Sequence, residues 1–97
     1  MLNLTAQKEN DLLTMELAGR LDTVTAPDLQ NAYQEESSGV SNVVLDCKDL
    51  TYISSAGLRV LLTIRKSLTG ELRMKNVAPT VMEVLEITGF ADILIIE

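Results

Sequence analysis

The chain has 97 residues, 46% of them hydrophobic, with 14 acidic against 8 basic side chains and a net charge of −6. That is one domain's length, too apolar to remain disordered, and it lacks the basic stripe that nucleic-acid binding leaves. His is absent and Cys47 stands alone, which excludes a His-based triad, the common zinc sites and an internal disulfide.

No basic region followed by an apolar run opens the chain, so no signal peptide is expected. No apolar stretch nears the ~20 residues that span a bilayer, so direct membrane insertion is not expected. An acidic surface fits a cytoplasmic protein that meets other proteins.

Leu2 to Glu9 alternates, with Leu2, Leu4 and Ala6 on one side, as a half-buried strand does. Glu9-Asn10-Asp11 reads as a turn, and Leu12 to Leu17 returns with Leu13, Met15 and Leu17 inward, predicting a hairpin. Thr25-Ala26-Pro27-Asp28 opens a helix: Thr25 caps, Pro27 needs no amide partner in the first turn, and Asp28 follows three residues on. Ser37-Ser38-Gly39 closes it. Val43-Val44-Leu45 is a short unbroken apolar run, which predicts a parallel strand covered on both faces. Asp46-Cys47-Lys48-Asp49 is expected to leave the sheet.

A second helix is predicted from Ser54 or Ser55 to about Leu68, with Gly70 as its left-handed stop. Glu71 to Lys75 reads as a brief strand. Ala78-Pro79-Thr80 opens a third helix, in which Thr80 and Glu83 suit a capping box and Val81, Val84, Leu85 and Thr88 share a face. Gly89 fits the left-handed position past its end, with Phe90 folding back on Leu85. Ile93 to Ile96 is the last strand. The order β-β-α-β-α-β-α-β predicts an α/β fold with a mostly parallel sheet.

The second helix carries the functional question. At about 100° per residue, Gly57, Val60, Leu61, Ile64 and Leu68 gather on one side, the expected core face, where Gly57 permits close approach to the sheet. Ser55, Leu58, Arg59, Leu62 and Lys66 fall on the other, so Leu58 and Leu62 are expected to be at least partly exposed, a docking patch beside a polar handle. Spacing alone also allows the plainer reading, in which a serine is the N-cap and Arg59 and Lys66 form a solvated face. A phosphate on Ser55 would meet free backbone amides at the positive end of the helix. It would leave the scaffold intact and add about two negative charges to its surface.

Gly19-Arg20-Leu21-Asp22 with Thr25-Ala26, Val43-Val44-Leu45-Asp46 with Asp49-Leu50, Tyr52-Ile53-Ser54-Ser55-Ala56-Gly57-Leu58, and Thr88-Gly89-Phe90 together resemble the STAS family of anti-sigma factor antagonists and transporter domains. The resemblance implies the STAS fold in a single domain over residues 1–97, here without the helix that usually follows the last strand. It implies a regulatory binding protein of the anti-sigma factor antagonist type. Such a protein binds an anti-sigma factor or related serine kinase while unmodified. The kinase then phosphorylates Ser55, with Ser54 as fallback acceptor, and a phosphatase resets the cycle. Partner contacts are expected at Asp22, Ser54, Ala56, Gly57, Leu58, Arg59 and Leu62. Ser54 stands where the family commonly has Asp.

No nucleophile is paired with a base and no glycine-rich phosphate loop is present, so neither catalysis nor a cofactor is expected. The last strand, apolar on both sides, is expected to be covered by a homodimer or a stable partner. The alternative role is that of an unphosphorylated STAS subunit of a lipid-transport ABC complex, in which both serines only cap.

Overall fold

In the computed structural model, which describes residues 2–97, β1 (Leu2–Glu9) and β2 (Leu12–Leu21) form an antiparallel hairpin. Asn10 takes the left-handed conformation at the turn, φ 57°, which Asn tolerates better than most residues. Leu13, Met15 and Leu17 are buried, as the alternation requires. The register sets Leu4 against Leu17 and Ala6 against Met15. Cover fades toward the turn, so Leu2 is buried, Leu4 half-buried and Ala6 exposed.

After α1 (Ala26–Glu36), strand β3 (Asn42–Ile53) pairs parallel with β2, and α2 (Ser55–Ser67) leads to β4 (Leu72–Lys75), parallel to β3. Then α3 (Pro79–Thr88), a single 3-10 turn (Phe90–Asp92) and β5 (Ile95–Ile96) complete a sheet in the order β1-β2-β3-β4-β5. All three helices contribute to one buried cluster with the inward side chains of the strands. The other sheet face carries Thr14, Glu16, Asp46, Arg73 and Lys75, none of them buried. The expectation that Val43-Val44-Leu45 is covered on both faces is therefore corrected. Val43 and Leu45 are buried, whereas Val44, opposite Arg73 on the polar face, is only half-buried.

β3 does not leave the sheet at Asp46. It continues to Ile53, and between Glu16/Ala18 and Gly19/Arg20 the register with β2 slips twice. Each slip puts an extra residue into β3, a bulge that re-aims the strand. Cys47, Leu50 and Ile53 thereby all face the core, at a spacing of three that alternation does not foresee.

Three capping expectations are also revised. Thr25 occupies the N-cap position of α1 but makes no capping hydrogen bond to the helix. The N-cap of α3 is Ala78, with Pro79 next, so no Thr80–Glu83 box forms. Gly70 is not left-handed. A Cβ there would come within 2.1 Å of Asn42 Oδ1 and 2.5 Å of the Ser41 carbonyl, so glycine is needed for close passage. Gly89, by contrast, does end α3 at φ 82°, its amide donating to the Glu86 carbonyl. The final strand is shorter than expected: Ile93 is 48% exposed and Leu94 is buried before β5 begins.

Candidate functional site

Two strand-to-helix junctions lie side by side at the C-terminal edge of the parallel strands. Leu21 pairs with Ile53, and the Ser54 amide donates to the Leu21 carbonyl at 2.9 Å. The turn Asp22–Thr25 is thus held against the segment Tyr52–Ser55.

The first junction is closed on itself. Asp22 Oδ1 accepts from the amides of Val24 and Thr25, both at 3.1 Å. The Thr25 hydroxyl accepts from the Asp22 amide at 2.8 Å and donates to the Arg20 carbonyl at 2.7 Å. Thr25 is 4% exposed, the one polar residue among the buried ones of the described residues. The Thr25 amide foremost, with help from Arg20, holds the Asp22 carboxyl below its usual range. Arg20 Nε lies 3.6 Å from Asp22 Oδ2, and its guanidinium sits 4.1 Å over the ring of Tyr52. That arrangement is a cation–π contact across the β2–β3 ladder.

The second junction is looser. Ser54 is the N-cap of α2, in extended conformation, and its hydroxyl accepts from the Gly57 amide at 3.5 Å, the outer limit of such a bond. The Ser54 carbonyl takes the Leu58 amide at 2.9 Å. Ser55, the first residue of the helix, is exposed. Its amide and that of Ala56 belong to the first turn, where the helix supplies no acceptor. Capping therefore falls to Ser54, and the Ser55 hydroxyl points into solvent at the positive end of a helix.

Gly57 accounts for the depth at which this helix sits. A Cβ on it would lie 2.8 Å from Leu21 Cγ and 3.0 Å from Ile53 Cγ1. Val60, Leu61, Ile64 and Leu68 are buried, as the angular reading requires. Leu58 is not exposed as expected: only 5% of it is accessible. With the first turn sunk onto Leu21 and Ile53, the buried arc widens far enough to include it. The outward stripe is then Ser55, Arg59, Leu62 and Lys66, of which Leu62 is half-buried and the rest exposed. Ala56 is half-buried and Asp22 half-buried beside the loop. Sequence reasoning missed Val24, 82% exposed at the tip of the first turn, and Tyr52, 40% exposed. An apolar β-branched residue between two threonines in a turn was the available signal for Val24.

Among the described residues no acidic or cysteine cluster could hold a metal ion. Burial pushes the Cys47 thiol up to about 12, so it is no nucleophile near neutral pH. No helix is long and apolar enough to cross a membrane.

The STAS domain family matches residues 3–97. This chain is a STAS domain protein. BtrV of Bordetella bronchiseptica, whose name proposes an anti-sigma factor antagonist, is 40% identical over 96 residues, covering 95% of this chain and 83% of that one. The anti-sigma-B factor antagonist of Bacillus subtilis is 29% identical over 91 residues, covering 91% and 83%. Among solved structures, SpoIIAA of Bacillus in its phosphorylated form superposes with a TM-score of 0.75 at 16% identity, covering 98% of this STAS chain and 91% of that one. At that identity the likeness establishes the fold.

Proposed function

We propose that this STAS protein is a phosphorylation-controlled antagonist of an anti-sigma factor or a related serine kinase, with Ser55 as the acceptor. The names of its relatives support the first part. One observation carries the second: of two adjacent serines, Ser54 is engaged as the helix cap and Ser55 is exposed beside it. A phosphate on Ser55 meets the open amides of the first turn of α2, where a dianion is tolerated. The fold survives while the surface that a partner reads changes charge by about −2. Asp22 and the turn it braces form the adjoining edge of that surface, together with Ala56 and Arg59; Gly57, expected there as a partner contact, is buried against the sheet instead. A phosphatase returns the protein to its binding form.

The test is incubation with candidate serine kinases of the anti-sigma factor type from the same organism and ATP, followed by mapping of the phosphate by mass spectrometry. Phosphate on Ser55, absent from Ser55→Ala and retained in Ser54→Ala, is the expected result. Phosphate on Ser54 instead, or none together with co-purification of a transporter ATPase subunit, overturns it. A second copy joined through β5 is part of the same reading, and sedimentation of the purified chain as a monomer removes it.

A further inference from the structure

α2 is the cationic helix of an acidic protein. It carries Arg59, Arg65 and Lys66 and no acidic residue, in a chain of net charge −6. Elsewhere the arginines are engaged: Arg20 with Asp22, and Arg73 with Glu71 and Glu97. Among the described residues no carboxylate lies within ion-pair distance of the three cations on α2. Arg59 and Lys66 lie on the outward stripe with Ser55, at the fourth and eleventh positions after it, and both are exposed.

Positions four apart on a helix are neighbours, about 5–6 Å between Cβ atoms. Helical side chains lean toward the N-terminus, which carries the Arg59 guanidinium toward Ser55. Arg59 also borders a depression between the starts of α1 and α2, with Pro27, Gln30 and Thr63, so it has room to swing.

We infer that Arg59 is the side chain through which phosphorylation of Ser55 is read. In the unmodified protein Arg59 and Lys66 form a cationic strip that docks against an acidic surface of the partner protein. The complementarity is specific to this helix, because the rest of the acidic molecule would repel such a surface. Once Ser55 carries phosphate, its dianion captures Arg59 within α2 as a charge-assisted pair. The strip loses its leading cation and gains negative charge in the same turn. Release of the partner then follows from withdrawal of a contact as well as from repulsion.

This inference rests on the functional reading above, and its test separates the two. Phosphoserine is placed at position 55 during translation by codon reassignment, in the wild-type background and with Arg59→Gln, and the phosphate is titrated by 31P NMR. The expected result is a second pKa higher by about 0.3 pH unit in Arg59→Gln, the equivalent of one exposed helical pair. Equal values in the two backgrounds overturn the capture, whether or not any kinase modifies Ser55. In parallel, binding of the unmodified protein to the kinase that modifies Ser55 in the test above is measured at low and high salt. Arg59→Gln and Lys66→Gln are expected to weaken it several-fold and flatten its salt dependence, with Lys8→Gln as a neutral control. Unchanged affinity in both variants overturns the docking strip. Phosphorylation should cost less affinity in the Arg59→Gln background than in wild type, and equal losses overturn the coupling.

Discussion

The two strand-to-helix junctions do the same topological job and are built in opposite ways. At the first, Asp22 and Thr25 spend their side chains on one another's backbone, and among the described residues no buried side-chain polar atom is left without a partner. At the second, one long hydrogen bond from Gly57 to Ser54 stands in for all of that, and the next hydroxyl is left out. A tight turn makes a fixed edge; a lightly capped turn leaves a hydroxyl for chemistry. The rigidity of the second junction comes instead from below, where the first turn of α2 rests on Leu21 and Ile53. Stability there is supplied by packing, which leaves the polar groups above uncommitted.

That contrast can be broken in graded steps. The largest effect is expected from Leu58→Glu, which puts a carboxylate where only 5% of the side chain is accessible. A loss of about 3–5 kcal/mol is expected by urea denaturation, and a nearly unchanged midpoint would restore Leu58 to the surface. Next comes Thr25→Val, which leaves the Asp22 amide and Arg20 carbonyl unpaired; a loss of about 1–3 kcal/mol is expected. Ser54→Ala removes only the 3.5 Å cap and should cost about 0.5 kcal/mol in the same assay. If it costs as much as Thr25→Val, the second junction is as tightly built as the first.

Acid supplies a further comparison. Because the folded Asp22 carboxyl lies below its ordinary 3.8, its contribution is present above that value and lost as pH falls through the folded one. The wild type should lose more stability than Asp22→Asn between about pH 4 and pH 2, judged from urea midpoints. The smallest effect is expected from Ser55→Ala, within about 0.5 kcal/mol of wild type. A larger loss would mean that Ser55 is structural after all.

Where the period of the side chains matched a regular element, the sequence was readable. Leu13, Met15 and Leu17 alternate because β2 has one buried face, and Gly57 announced the close approach of α2. The end of β3 was not readable. Asp46, Lys48 and Asp49 look like an exit, and only the bulges against β2 bring Cys47, Leu50 and Ile53 round to the core. Leu58 failed for a related reason: a helical wheel fixes angles, not depth, and depth here is set by a missing Cβ. Caps proved the least legible, since Thr25 has the right chemistry for α1 and uses it on the preceding strand. Ser55 was set ahead of Ser54 by its angle on the helix and its place in the motif; the folded chain adds that Ser54 is the cap and Ser55 is exposed.

The sheet order β1-β2-β3-β4-β5 has a consequence for how the molecule comes into being. Each strand pairs with its predecessor in the chain, so no strand has to hold a place open for one made much later. Only the hairpin is local, however: the parallel pairings join Leu12 with Asn42 and Val43 with Leu72, and closing those helical crossovers, not forming the hairpin, is expected to set the pace of folding. During synthesis, each strand can join the sheet as it emerges. Synthesis delivers the residues of the hairpin and β3 before those of the helix bearing Ser55, so α2 is the later arrival on the sheet face that it covers.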